Sequence, residues 1–185
     1  MIVAAVCVAR PRELEWRGKT KITGIYKEPI SDTVAIGPEG LAGDHIADPR
    51  YHGGRDKAVY SYAEEHYPFW RPTLGADIAA GAFGENLLTR GLDEEAVRAG
   101  DRWRAGTVLP EACEGRQPCS TLAARYRDPV LVKRFAEAGR FGIYWRVVEP
   151  GIVRAGDALV LEARGSGEGI ADSTRRKLSK SSKKA

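Results

Sequence analysis

The chain has 185 residues, 43% of them hydrophobic, which is enough for one sizeable core and too little for two full domains. No run approaches the roughly 18 consecutive apolar residues of a spanning helix, so no membrane partner is expected. The net charge of +4 lies wholly within residues 165–185, where six lysines and arginines face Glu168 and Asp172, and residues 1–164 are neutral. The three cysteines, Cys7, Cys113 and Cys119, do not form a disulfide framework, and a reducing cytoplasm is the expected location.

In chain order, MIVAAVCVAR carries its positive charge after the apolar run and reads as a strand rather than a targeting segment. Strand character returns in KITGIYKEPI (21–30), KAVYSY (57–62), FGENLLT (83–89), DRWRAGTVLPEA (101–112), FGIYWRVVE (141–149) and DALVLEA (157–163), with glycines and prolines between them. Helical pattern is confined to AEEHYPFW (63–70), to CSTLAARY (119–126) after Pro118, and to PVLVKRFAEAGR (129–140). The last of these carries Val130, Leu131, Phe135 and Ala138, with Gly139 as the stop.

The expected fold is therefore mainly β, a β-rich α+β domain over residues 1–164 built as a barrel or sandwich. The pentapeptide VRAGD occurs at 97–101 and 153–157 and reads as two uses of one Gly-Asp turn before a strand. Residues 165–185, rich in Ser, Gly and Lys, read as a disordered basic tail. Nothing in it reads bases, and a nucleic-acid partner is not expected.

GLAGDHIADPRYHGGRDKAVY (40–60) is the densest polar stretch, with Asp44, His45, His52, Arg55, Asp56 and Lys57 around its glycines. Gly53 and Gly54 permit positive φ and close backbone approach, and Arg55 and Lys57 supply cationic donors. The stretch is either a phosphate or carboxylate cradle or a surface hairpin with self-paired charges. It lacks the GxxxxGK[ST] and GxGxxG patterns, and His45 and His52 are not spaced as a helix-borne zinc pair. In GAFGENLLTRGL (81–92), Asn86 is either a reader of a heterocycle edge or phosphate, or a turn cap beside a solvated Glu85.

Tyr144 and Arg146 alternate with Trp145 and share a strand face, from which Arg146 reaches either an anion or solvent. His66, among aromatic residues, reads as packed or surface. Cys7 reads as core, and Cys113 as strand packing rather than a resolving thiol. Cys119 follows Pro118 and lies three residues after Arg116 at an apparent helix start. There the free N–H groups and the guanidinium favour thiolate, a nucleophile and a soft metal ligand. Local sequence leaves that reading and a buried, inert cysteine both open.

Taken in order, GLAGDHIADPRYHGGRDKAVYSYAEEHYPFW, GAFGENLLTRGLDEEAVRAGDRWRAGTVL, GRQPCSTL and GRFGIYWRVVEPGIVRAGDALVLEAR resemble the MOSC domain, named for the C-terminal domain of molybdenum cofactor sulfurase. Within it they are similar to the stand-alone bacterial YiiM-like group, over about residues 20–163. The resemblance implies a β-barrel with peripheral helices and a molybdenum cofactor (molybdopterin) in a polar pocket, with Cys119 as molybdenum ligand and catalytic residue. Asp44, His52, Gly53, Gly54, Arg55, Lys57, Asn86, Arg116 and Arg146 are the implied cofactor-binding set. It further implies reduction of small N-hydroxylated compounds such as N-hydroxylated purine bases, a detoxifying activity. The chain has no flavin, iron-sulfur or haem motif, so a separate reductase is expected to supply electrons. The alternative is a non-catalytic carrier of cofactor or sulfur acting through Cys119. A homodimer is compatible with this reading, and the small helical C-terminal segment common in the YiiM-like group is expected to be replaced here by the basic tail.

Overall fold

The computed structural model describes residues 1–75 and 77–182. Its strands are β1 (Ile2–Ala9), β2 (Arg12–Trp16), β3 (Lys19–Thr23), β4 (Lys27–Ile30), β5 (Val34–Gly37), β6 (Gly40–Leu41), β7 (Val59–Ala63), β8 (Leu87–Arg90), β9 (Arg102–Ala105), β10 (Leu109–Gly115), β11 (Ile143–Glu149), β12 (Gly151–Val153) and β13 (Leu159–Ala163). The helices are α1 (Pro49–His52), α2 (Tyr67–Leu74), α3 (Ser120–Tyr126), α4 (Leu131–Ala138) and α5 (Ile170–Ser182). The architecture is sheet-dominated α+β.

Eight strands form one sheet in the order β13-β9-β10-β11-β7-β8-β1-β4, beside the smaller sheets β12-β5-β6 and β2-β3. All pairs are antiparallel except β7–β8, whose connection carries α2 as a parallel crossover requires. The ladder ends at β13 and β4. Residues leading into β13 turn back onto β1: Val3 N donates to Asp157 O at 2.9 Å and Gly156 N to Val3 O at 2.8 Å.

Both faces of the sheet are covered, and strand alternation divides the side chains between them. Ile143, Trp145 and Val147 of β11 join Val59, Leu87 and Trp103 in one core. Tyr144 joins Tyr60, Tyr62, Trp70, Phe83, Leu122 and Phe135 in the other, which the helices cover. Aromatic rings dominate this second core, with Trp70 stacked on Phe135 at 5.5 Å and Tyr62 against Phe83 at 4.5 Å.

The stretch 21–30 is two strands rather than one. A Cβ on Gly24 would stand 1.8 Å from His45 O, so the chain passes against residue 45 there and leaves the ladder between β3 and β4. The two VRAGD segments form the same turn. Asp101 and Asp157 each accept from the arginine three residues earlier, at 3.0 and 2.9 Å, and Gly100 and Gly156 sit at φ +89° and +93°.

The expectation of a disordered tail over 165–185 is corrected. Gly165 N donates to Asp101 Oδ1 at 2.7 Å and Ile170 N to Val97 O at 2.9 Å, and α5 then runs from Ile170 to Ser182. Its few apolar groups fall on one helical face, where Ile170, Ala171 and Thr174 are buried and Leu178 packs on the aromatic core. Composition averages over the segment and misses that stripe. A helix thus stands where the basic tail was expected, and residues 183–185 lie outside the described residues. Among the described residues no helix is long and apolar enough to cross a membrane.

Candidate functional site

A cavity of about 770 Å³ opens on the aromatic face, where the chain leaves β10 and enters α3. Arg116, Gln117, Pro118 and Cys119 line it from that connection, Tyr60 and Tyr144 from the sheet, and His52 and Lys57 from the loop ahead of β7. Cys119 caps α3 in an extended conformation, φ −130° and ψ 158°, so its side chain leaves the helix axis at the turn's first free N–H groups. Burial alone pushes this thiol up. A hydrogen bond from His52, the charge of Arg116 and the Leu122 N–H outweigh burial and bring it to about 5. At neutral pH the sulfur is a thiolate.

Arg116 is 3% exposed. One terminal nitrogen donates to Phe83 O and the other to Cys119 Sγ at 3.7 Å, while the guanidinium lies 4.7 Å over the Tyr60 ring. Its Nε is buried without a partner, as is His45 Nε2 on the cavity wall. Burial works against the guanidinium charge, but Tyr60, Tyr144 and Cys119 reverse the balance and hold it protonated.

Glu85, solvated in one of the two readings the sequence left open, is completely buried. It accepts from Tyr67 Oη, from Gly81 N at 2.8 Å and from Phe83 N at 2.9 Å, and burial pushes its carboxyl up. The 81–85 loop is thereby fixed with the Phe83 carbonyl aimed at Arg116. Gly84, at φ +78°, keeps that loop close: a Cβ there would stand 3.1 Å from Ile25 Cδ1.

On the far wall Lys27 is paired with Asp44, their side chains 7% and 3% exposed. Asp44 also accepts from Ala9 N at 2.7 Å and Asn86 Nδ2 at 2.9 Å. Burial lowers the affinity of Lys27 for its proton, and Asp44 opposes that loss. Asn86 lines the cavity, yet it is committed internally. Its amide donates to Cys7 O at 3.3 Å and to Asp44, and its oxygen accepts from Tyr60 N at 3.2 Å. It orients Asp44 rather than offering an unused edge.

The HGGRDK loop divides. His52 lies in the cavity with Nδ1 3.2 Å from Tyr144 Oη. Lys57 is in it too, donating to Tyr51 O at 3.0 Å and standing 5.6 Å from the Tyr144 ring centre. Gly53, Gly54 and Arg55 do not line it. Gly53 is extended and fits against Pro49 and Ile46, Gly54 takes φ +82° to start the turn at 55–57, and the Arg55 side chain is exposed.

Arg146 is likewise away from the cavity, paired with Asp56 at 3.2 Å and Glu111 at 3.7 Å and donating to Cys113 Sγ at 3.2 Å. Sharing a face with Tyr144 did not carry it inside, because two residues along a strand advance about 6.6 Å, past the edge of the aromatic cluster. Cys113 serves that surface contact, and Cys7 is core, its thiol pushed up to about 12 chiefly by burial. His66 packs between Arg140 and the buried Glu94, which accepts from the Phe141 and Gly142 amides.

Sequence reasoning passed over Lys27, Tyr60 and Glu114 as cavity residues. Lys27 opens KEPI, Tyr60 lies within VYSYA and Glu114 within LPEACEG, and no local pattern sets them apart. Among the described residues, no group of three or more His, Cys, Asp and Glu side chains is arranged to hold a metal ion.

The family model for the MOSC domain matches residues 48–160. YflK of Bacillus subtilis (strain 168) is 40% identical over 163 residues, 88% of this chain and 74% of that protein. A Gibberella moniliformis (strain M3125 / FGSC 7600) protein named Reductase is 37% identical over 146 residues, 77% of this chain but 26% of that longer protein. The crystal structure of YiiM from Geobacillus stearothermophilus superposes with a TM-score of 0.80 at 33% identity, over 97% of this chain and 84% of that one. A match over more than half of the sequence, joined to these relatives and to a cavity built around the RQPC segment, means that this chain belongs to the MOSC domain family.

Proposed function

We propose that the chain is an oxidoreductase that holds a molybdenum cofactor in the Cys119 cavity and reduces N-hydroxylated compounds to amines, with N-hydroxylated purine bases as the substrate class. The observation that carries the reading is Cys119 Sγ set 3.7 Å from the sealed Arg116 guanidinium inside a cavity of cofactor size, an environment that favours thiolate. A thiolate is the soft donor that a molybdenum centre takes. The residues fit the rest of such a group. Arg116 Nε and His45 Nε2 are buried without partners, at a cost of about 1–3 kcal/mol each, in two residues that line this cavity. Lys57 and Arg116 are the cations for a phosphate, and Tyr60 and Tyr144 the ring faces for a heterocycle.

When bound, the cofactor supplies the two-electron chemistry that removes the N-hydroxyl oxygen. The chain's own residues prepare the site. His52 and Arg116 together keep the sulfur anionic against burial, Tyr144 Oη fixes the imidazole, and Glu85 holds the loop that seats Arg116. Electrons are proposed to come from a separate reductase. The relative named Reductase supports redox chemistry, and the bonds from Val3 to Asp157 and Gly156 support reading the curled sheet as the family's barrel.

The test is metal analysis of protein made in a host that synthesises the cofactor, followed by turnover of N-hydroxylated purine with a chemical electron donor. Stoichiometric molybdenum with turnover, both lost in Cys119→Ser, is the expected result. A Cys119→Ser protein that keeps its metal and full activity overturns the reading, and metal without turnover replaces it with a carrier role.

A further inference from the structure

Glu114, the penultimate residue of β10, stands between lysines from distant parts of the chain. Its Oε1 is 3.3 Å from Lys57 Nζ and its Oε2 is 2.7 Å from Lys177 Nζ on α5. Lys57 and Glu114 are half-buried and both line the cavity, whereas Lys177 does not. Among the described residues, Glu114 is the one carboxylate paired with Lys57.

The position of α5 is fixed independently of this pair. A Cβ on Gly115 would stand 2.3 Å from Thr174 Oγ1, and Thr174 and Ile170 are both buried, so helix and strand pack backbone to side chain. Lys177 is therefore presented to Glu114 by a seated helix.

A carboxylate inside this cavity acts against an anionic ligand, because it neutralises Lys57 and repels the incoming charge. Burial pushes the Glu114 carboxyl up, and Lys177 and then Lys57 together outweigh it and hold the carboxyl below the ordinary range. Resting on the reading of the cavity as a site for a phosphate-bearing cofactor, we propose that Glu114 is the internal counter-ion of Lys57, displaced when a phosphate monoester binds, and that Lys177 holds the displaced carboxylate. The C-terminal helix thereby sets the affinity of the anion subsite.

The arrangement gives opposite signs for two charge removals. Glu114→Gln frees Lys57 and tightens phosphate binding, whereas Lys177→Met leaves Glu114 to Lys57 alone and weakens it. For partly exposed pairs each effect is about threefold at low ionic strength. In the double variant no carboxylate remains beside Lys57 to be held away from it, so its affinity matches that of Glu114→Gln alone. Lys177→Arg keeps the charge and the wild-type affinity.

The experiment titrates the full-length chain and these variants with inorganic phosphate, reading backbone amide shifts at Lys57 and Gly115, with thermal midpoints confirming that each variant is folded. Opposite shifts for the two single variants, with the double variant following Glu114→Gln, support the proposal. Equal affinities throughout, shifts of the same sign, or phosphate-induced changes only outside the cavity overturn it. Wild-type protein that holds molybdenum while phosphate affinity stays unmoved in every variant removes this inference and leaves the cofactor reading standing. Affinities that move as expected in a chain that never takes up molybdenum do the reverse.

Discussion

Arg116 Nη2 lies 3.7 Å from Cys119 Sγ, in a guanidinium sealed from solvent by Tyr60 and by the loop that Glu85 holds. Screening by water is weak at such a site, so one cation moves a neighbouring thiol much further than a surface arginine would. Together with the hydrogen bond from His52, the Arg116 charge outweighs burial and brings the Cys119 thiol down to about 5.

That ionisation is measurable without any ligand. Alkylation of Cys119 by iodoacetamide is expected to hold its rate from neutral pH down toward 6 and to fall through about 5, with the fall moved upward in Arg116→Met. A rate that titrates near the ordinary thiol value of 9.0 in the wild-type chain contradicts it.

The same shift has a stability consequence of defined sign. The folded-state value lies below the unfolded one, so ionisation contributes stability that is fully present above the unfolded value near 9 and is lost as pH falls through about 5. The urea stability of the wild type relative to Cys119→Ser should therefore rise between pH 5 and 8. A pH-independent difference rejects this contribution.

Lys27 and Asp44 are buried together, and removing one partner strands the other. Lys27→Met is expected to cost about 3–5 kcal/mol by denaturant unfolding, and adding Asp44→Asn to recover a large part of the loss. Additive losses in the double variant would show that the pair is not coupled.

Separation of cavity and surface arginines predicts unequal effects on metal content. Arg55→Ala and Arg146→Ala should retain wild-type molybdenum, while Lys57→Ala combined with Arg116→Met should lose most of it, and Cys113→Ser should retain it. Inductively coupled plasma analysis of the purified proteins decides the point.

Removal of residues 170–185 exposes the surface that Ile170, Ala171, Thr174 and Leu178 cover. A loss of about 3 kcal/mol in urea unfolding is expected from exposing that apolar surface. Unchanged stability would mean that α5 contributes nothing to the fold.

Much of this protein was decided by local pattern. Alternation in IYWRV placed Trp145 and Tyr144 on opposite faces, and proline before cysteine marked the start of α3. The RQPC segment carries its own partners, so Arg116 and Cys119 were legible as a pair. Backbone periodicity and steric preference act over a few residues, and a sequence displays them directly.

The tertiary structure alone decided which charges are sealed. Glu85 and Lys27 look like surface residues until loop and strand are packed, and Arg146 looks like a pocket residue until its strand has passed the cavity edge. Asn86 acquires its partners from Cys7, Asp44 and Tyr60, far away in the chain, and α5 gains its footing on β10 in the same way. Burial and desolvation are properties of neighbours brought together by folding, and no stretch of sequence contains its own.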